Sequence, residues 1–404
     1  MLRTLKSTLC GFMLIILLPA LLSGCWERKE LNELAFVLGY GLDKEGDHFK
    51  VTMQVVIPSE IATSTTAKGG GTPVTVYDFK VKTIYEALHE FTLASSRSSY
   101  LGHIRVLVLG EELARDGIGK VLDVILRSRE PRSDFYIMVA RDAQASEVLQ
   151  FLTPLDKLPA NRLFYSLQKS SKATARTTPV TIDKLVDRLV ADGRNVALSG
   201  IEIVGDRSVD GDANNLESTR PKASLLLRGL GVFRRDKLLG WLNDMETIGY
   251  NYIMGEVSGS AGPVIGEDGK PIVMEVLRSS TKRKVKIIDG EPHIYITVRA
   301  TVNVESTQST DRLDDDLMIR ELEKKSEERI IYLMENAADH IIEKYNSDIL
   351  GFGQLIYQSH PKVWEKLKEQ RENYLKTLPV HYQASVHINR IGTIDKSFQD
   401  DIKG

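Results

Sequence analysis

The sequence predicts a multi-domain α+β protein in which mixed sheets carry packed helices. Residues 294–304 alternate apolar and polar side chains without a break, which is typical of a half-buried strand. Between residues 34 and 191, strand-like apolar runs alternate with helical patterns. An apolar stripe at helical spacing, from Leu322 through Ile330 to Tyr345, predicts a long amphipathic helix.

The N-terminal region, 25–205, is expected to be α+β and to comprise one or two subdomains. It opens with a predicted strand pair joined by a polar turn, and a Gly- and Ser/Thr-rich segment over 59–75 then predicts a mobile loop or a long hairpin tip. The predicted strands are 34–42, 49–57, 104–109 and 135–140, and the predicted helices are 83–94, 121–126, 145–152, 161–169 and 181–191.

A polar, turn-rich segment over 206–222 predicts a linker and the main domain boundary. A C-terminal α+β domain is expected over 223–395, followed by a tail over 396–404. Its core is predicted to be an antiparallel sheet with two long helices packed on it. The expected strands are 272–277, 284–288, 294–304 and 380–388, with Asp289-Gly290 as a hairpin turn. The helices should start near Asp314-Asp315-Asp316 and near Pro361.

The first 24 residues predict a signal peptide that is removed. Arg3 and Lys6 precede an uncharged apolar run, and Leu22-Ser23-Gly24-Cys25 has the form of a lipobox. Cys25 is therefore the predicted lipidation site, where a diacylglyceryl group would be added to the thiol. Two acyl chains would hold the mature chain on the outer leaflet of a membrane. The alternatives are an uncleaved transmembrane anchor, for which the run is short, and a soluble secreted product.

Composition and motifs argue against several function classes. The net charge of −2 offers no electrostatic footprint for nucleic acid. The remaining cysteine, Cys10, lies in the signal peptide, so the mature chain has no disulfide, and no histidine pair has metal-ligand spacing. Ser279 and Lys282 match an SxxK motif, but the KTG element of such enzymes is absent. We expect no catalytic residue, metal or cofactor.

Several blocks of the sequence resemble one known family. They are 24–34 (GCWERKELNEL), 39–43 (GYGLD), 102–106 (GHIRV), 110–118 (GEELARDGI), 237–242 (KLLGWL), 246–249 (ETIG), 348–353 (DILGFG) and 361–364 (PKVW). Together they are similar to the C subunits of spore germination receptors, the Ger(x)C lipoproteins. The resemblance implies three α+β domains in one unit and no enzymatic activity. It also implies a lipid-anchored subunit on the outer leaflet of the spore inner membrane, with membrane-embedded A and B subunits as partners.

Three functional hypotheses follow. The first is a structural and signalling subunit of a nutrient germinant receptor. The second is a stand-alone nutrient-binding lipoprotein, and the third is a cell-wall or lipid hydrolase that uses Ser279. Trp241 and Trp364 are expected either to pack internally or to contact a partner. Trp241 is the chosen interface anchor, because Gly240-Trp241 suggests the tip of a turn.

Overall fold

The computed structural model describes residues 12–13, 30–62, 72–128, 130–152, 156–206, 221–313 and 315–390. Strands and helices alternate along this part of the chain, which confirms the α+β class. The predicted signal peptide, apart from Phe12 and Met13, lies outside the described residues, as do Cys25 and the tail 396–404. Residues 63–71 of the predicted Gly-rich loop also lie outside them.

The described strands are β1 (Leu34–Glu45), β2 (His48–Val56), β3 (Val74–Val81), β4 (Ser98–Tyr100), β5 (Val106–Gly110), β6 (Tyr136–Ala140), β7 (Ala197–Gly205), β8 (Ala223–Arg234), β9 (Lys237–Leu242), β10 (Ser260–Ile265), β11 (Pro271–Ile288), β12 (Glu291–Thr307) and β13 (Val380–Arg390). The described α-helices are α1 (Pro58–Ala62), α2 (Glu86–Ala94), α3 (Glu111–Asp116), α4 (Gly119–Arg127), α5 (Ala145–Gln150), α6 (Pro159–Thr174), α7 (Ile182–Val190), α8 (Asp244–Met254), α9 (Asp316–His340), α10 (Phe352–Ser359) and α11 (Pro361–Leu367). The sequence patterns missed six strands (β3, β4, β7, β8, β9 and β10) and four helices (α1, α3, α8 and α10).

A nine-stranded sheet carries the N-terminal region, in the order β3-β2-β1-β5-β6-β7-β8-β9, with β4 beside the start of β1. Its central strands β1, β5, β6 and β7 are parallel. Both faces are covered, because Leu107 and Leu109 of β5 enter one apolar cluster while Val106 and Val108 enter another. The four parallel strands therefore begin at one common end of the sheet, here called its amino end.

The predicted linker, 206–222, joins two neighbouring strands of this sheet. Ala197 of β7 lies opposite Val232 of β8, and Gly205 lies opposite Ala223. The sheet thus continues through β8 and β9, beyond the expected boundary, because those strands complete the ladder that β7 begins. Of the segment itself, residues 207–220 lie outside the described part of the chain.

A second sheet, of four strands in the order β10-β11-β12-β13, carries the C-terminal half. The two strands predicted over 272–277 and 284–288 are one 18-residue strand, β11. Arg283 interrupts its apolar pattern from an inward position, where the guanidinium lies 5.8 Å from the Phe352 ring and donates to the carbonyl oxygen of Leu350. The turn at Asp289 and Gly290 is confirmed, with φ of 52° and 86°.

The expectation of an all-antiparallel C-terminal sheet is wrong for β13, which runs parallel to β12. Residues 308–379 separate the two strands, and a crossover of that length is what parallel neighbours require. The crossover carries α9, whose buried stripe includes Leu322, Ile330 and Met334 as predicted.

Asp315 caps α9 through a 2.9 Å bond from the Leu317 amide, while Asp314 lies outside the described residues. The second predicted long helix is wrong. Helix α11 ends at Leu367 and continues only as a 3₁₀ segment, Lys368–Lys376. None of the described helices is long and apolar enough to cross a membrane.

Candidate functional site

Asp348 is the most deeply buried carboxylate at the junction between the two sheets, with 1% of its surface exposed. Its oxygens accept hydrogen bonds from the backbone amides of Phe352 (3.0 Å) and Gly353 (2.7 Å) and from the Tyr374 hydroxyl (2.5 Å). Burial raises the pKa of Asp348, and the three hydrogen bonds oppose that rise. The carboxylate thereby fixes the start of α10, at the positive end of that helix.

The loop around Asp348 is joined to the N-terminal sheet by main-chain hydrogen bonds. The Asn195 amide donates to the carbonyl oxygen of Asp348 (2.7 Å), and the Gln354 amide donates to that of Gly193 (2.8 Å). Gly193 has a φ of +69°, and a Cβ there would lie 2.5 Å from the carbonyl carbon of Gly353. Only glycine allows the two backbones to approach this closely.

Two arginines flank the same loop. Arg194 donates through Nη1 to Oε1 of Gln354 (3.2 Å), and Arg283 reaches in from β11 to the Leu350 carbonyl. Burial lowers the pKa of both guanidinium groups. The Nε atoms of both arginines are buried and have no hydrogen-bond partner, and the same holds for the Trp364 Nε1 atom. Trp364 itself is 4% exposed and packs edge-to-face on Tyr374.

A cleft of about 520 Å³ opens beside this junction. Its lining includes cationic, anionic and aromatic side chains, from Arg194, Arg235, Asp236, Asp348, Trp364 and Tyr374. A small molecule that carries both a carboxylate and an ammonium group would find partners for each charge in such a lining. Arg194, Arg235 and Asp236 carry no local sequence signal of a site, because they lie in two separate charged loops that only the fold brings together.

Trp241 does not lie at a turn, as the sequence suggested, but inside strand β9. Its half-buried indole donates to Oε1 of Glu111 (3.2 Å), and the Arg141 guanidinium lies 5.5 Å from the ring. A Cβ on Gly200 would lie 2.6 Å from the indole, so the ring fills space that a glycine leaves open. The Trp241 ring therefore packs across the sheet, and only part of it faces solvent.

The other residues singled out from the sequence give no reactive arrangement. Ser279 lies within β11 and not at the start of a helix, where an SxxK serine is expected. Across the described ranges, no three His, Cys, Asp or Glu side chains come together to hold a metal ion. Gly351, in the family-like block 348–353, has a positive φ of +66°. Cys25, the predicted lipidation site, lies outside the described residues.

Both halves of the chain match family models. Residues 27–203 match the model described as the spore germination protein N-terminal domain. Residues 228–392 match the spore germination B3/GerAC-like C-terminal model. The interval between the two matched regions contains the segment that joins β7 to β8.

Similar curated proteins and a solved structure are also spore germination proteins or share their fold. Spore germination protein KC of Bacillus subtilis (strain 168) is 29% identical over 402 residues, which cover 96% of this chain and 98% of that protein. Spore germination protein B3 of the same strain is 25% identical over 398 residues, which cover 96% of this chain and 100% of that protein. The crystal structure of the GerBC protein superimposes with a TM-score of 0.53 over 90% of this chain and 100% of that one, at 21% identity, and so shares the fold.

Proposed function

Since this chain belongs to the GerAC family of spore germination proteins, we propose that it is the lipid-anchored C subunit of a nutrient germinant receptor. In this role it works with membrane-embedded A and B subunits on the outer leaflet of the spore inner membrane. The observation that carries the proposal is the presence of both family regions, in order, over nearly all of the chain that follows Cys25.

The lipid anchor at Cys25 is the first part of the proposal. Two acyl chains bind a bilayer far more stably than one, and confinement to the membrane raises the effective concentration of the subunit near its partners. A Cys25→Ala substitution should move the protein from the membrane fraction to the soluble fraction of spores. Cys10→Ala is the matched control, because that cysteine would be discarded with the signal peptide. A Cys25→Ala protein that stays in the membrane, in spores that germinate normally, would refute the anchor.

The receptor role is tested by the nutrient dose-response of germination. Spores that lack this gene should lose the response to one nutrient or one nutrient mixture, and a plasmid copy should restore it. An unchanged response would have to be repeated in a strain without other receptors. If overexpression there restores no nutrient response, the receptor role is wrong.

The contact with the A and B subunits includes, in our proposal, the exposed part of the Trp241 indole. The ring is half-buried on the edge strand β9, so its solvent side is available to a partner while its other side stays packed. Large aromatic side chains that are partly packed and partly exposed are common centres of binding energy in interfaces.

A stand-alone nutrient-binding lipoprotein is the second candidate, and the cleft beside Asp348 is the observation that favours it. Its mixed charges and aromatic walls suit an amino acid better than an uncharged sugar. Calorimetric titration of chain 26–404 with amino acids tests this directly. Saturable heat that an Arg235→Ala variant loses would support the candidate. Arg235 is exposed, so the substitution should leave the fold intact. Silence across the amino acids would reject it.

A further inference from the structure

The outer face of the four-stranded sheet carries a row of cations. Outward positions of β11 hold Arg278, Lys282, Lys284 and Lys286, and Arg299 of β12 lies opposite Ser280 of β11. All five side chains are exposed, while Ile294, Ile296 and Val298 of β12 point to the core on the other face. We call these five residues the basic face.

The cations of the basic face lack salt-bridge partners within the described part of the chain. None of the five forms an ion pair with any of the described residues. The adjacent outward positions of β13 hold His381, Gln383, Ser385 and His387, and His387 lies 3.2 Å from a carboxylate oxygen of Glu323. On β11 and β12 the outward acidic residues lie toward the ends of the patch, at Glu275, Glu291 and Glu305. A protein with a net charge of −2 thus concentrates unpaired positive charge on one surface.

Aromatic and apolar groups accompany these cations toward the β11–β12 turn. The Lys286 ammonium lies 4.3 Å from the centre of the Tyr295 ring, on which His381 stacks at 4.5 Å. Ile287 and Ile288, beside the turn, are each 39% exposed. Lysine, tyrosine and exposed aliphatic side chains together are typical of protein surfaces that contact the headgroup layer of a bilayer.

The topology places the beginning of the folded chain and the part of β11 around Arg283 at the same end of the larger sheet. Strand β1 starts at its amino end, three strand spacings or about 15 Å from β7. Asn195, just before β7, binds the Asp348 loop, and Arg283 of β11 binds that loop at Leu350. Cys25 precedes Glu30 by five residues, which span at most about 18 Å. A lipid on Cys25 would therefore keep this end of the molecule close to the bilayer.

Given the lipid anchor proposed above, on which this step depends, we propose that the basic face binds the anionic phospholipid headgroups of the membrane surface. The lipid fixes the chain to the bilayer at one point, and the sheet face supplies a second contact that sets the orientation of the protein. Charge complementarity, the lack of ion pairs to any described residue and the position of the face carry the proposal.

Vesicle flotation of chain 26–404 tests the basic face without the lipid. This chain retains every strand of both sheets. It should float with vesicles that contain phosphatidylglycerol. With vesicles of phosphatidylcholine alone it should remain in the bottom fraction of the gradient. The triple variant Lys282→Gln, Lys284→Gln, Lys286→Gln should partition about a hundredfold more weakly. The matched control is Lys120→Gln, Lys362→Gln, Lys366→Gln, which removes the same charge from exposed sites elsewhere and should bind as the wild type does. Thermal unfolding checks that both variants fold.

The outcomes separate the sources of the anion. Equal loss in both triple variants, equal binding to the two kinds of vesicle, or no binding by the wild type would overturn the proposal, the last in favour of an acidic protein partner. Competition by inorganic phosphate, but not by chloride at the same ionic strength, would also overturn it in favour of a free-phosphate site. Because chain 26–404 lacks Cys25, these results are independent of the Cys25→Ala test of anchoring.

Discussion

The backbone amide of Asn195 donates to the carbonyl oxygen of Asp348 over 2.7 Å, so the start of β7 and the loop after α9 share a main-chain hydrogen bond. These residues are far apart in sequence: Asn195 leads into a strand of the nine-stranded sheet, and Asp348 lies in the crossover that joins β12 to β13 of the other sheet. The side chain of Asp348 meanwhile orders α10. Asp348 thus accepts hydrogen bonds from the first amides of α10 through its carboxylate, and from the residue that leads into β7 through its backbone carbonyl.

Replacing Gly193 by alanine should destabilise the protein strongly. The residue has a φ of +69°, and a new Cβ would meet the backbone of Gly353 at 2.5 Å. Backbone strain and overpacking together should lower the free energy of unfolding by about 3 kcal/mol, measured by urea denaturation. Gly46→Ala is the control, because Gly46 has a φ of +62° but nothing within 4 Å of the added atom. That variant should lose only about 1 kcal/mol, and equal losses would contradict the close contact.

Asp348→Asn should change how stability depends on pH. Because burial raises the pKa of Asp348 in the folded protein, the folded state holds this proton more tightly than the unfolded chain. The resulting stabilisation is fully present below pH 3.8, the ordinary pKa, and is lost as pH rises through the folded pKa. The free energy of unfolding of the wild type minus that of the variant should therefore fall as pH rises from below 3.8 toward neutrality.

Asp123→Asn provides a control of opposite sign for this pH experiment. A hydrogen bond from Arg127 lowers the pKa of the exposed Asp123 carboxyl. Its small stabilisation is present above the ordinary pKa and lost as pH falls, so the same difference should rise slightly with pH. A wild-type minus Asp348→Asn difference that is flat across the acid range would show that Asp348 is not desolvated in the folded protein.

Two glutamates of α9 cover the open edge of β13. Glu327 accepts from the Val386 amide (3.0 Å), and Glu323 accepts from the Ile388 amide (2.9 Å). The double variant Glu323→Ala, Glu327→Ala should lose about 2 kcal/mol of stability and associate at lower protein concentration, seen by light scattering. Glu321→Ala, Glu328→Ala removes glutamates of the same helix that pair with lysines, and it should remain monodisperse. Equal association of both variants would argue against edge protection.

Trp241 substitutions separate packing from partner contact. Trp241→Phe removes the bond to Glu111 and should cost about 1 kcal/mol, while Trp241→Ala also empties the space above Gly200 and should cost about 2–3 kcal/mol. If the indole also contacts a partner, Trp241→Ala should reduce co-purification of the proposed A and B subunits at temperatures where it is folded, and Trp241→Phe should retain it. Undiminished co-purification of the folded Ala variant would leave packing as its role.

Local patterns predicted the elements whose two faces differ clearly. The alternation over 294–304 identified β12, and the stripe from Leu322 to Tyr345 identified α9 together with the π-helical turn, Ile341–Tyr345, that continues it. Strand β3 was missed because it begins inside the segment 59–75, whose composition predicts a loop, although Tyr77, Phe79 and Val81 alternate with Asp78 and Lys80. Long-range pairing also left no local signal, so the parallel direction of β13 and the partners of Asp348 required the fold.

The net charge of the chain gave no indication of the basic face. The nearly neutral total concealed the basic face, although residues 278–286 contain five cations and no acid. A windowed charge count would have found it. The charge count alone does not show which of these cations face solvent. Alternation within the strand directs Arg283 inward to Leu350 and its neighbours Lys282 and Lys284 outward.

The continuous ladder between β7 and β8 limits how this chain could be cut or recombined. The first matched family region ends at residue 203, within β7, and the second begins at residue 228, within β8. These two strands are hydrogen-bonded neighbours in one sheet. Separating the chain into two fragments within that interval would divide one sheet and leave each fragment with an edge strand whose backbone N–H and C=O groups are unpaired. The two regions should therefore be inherited and unfold together, and grafting one of them onto a relative would succeed only where the matching strand of the other comes with it.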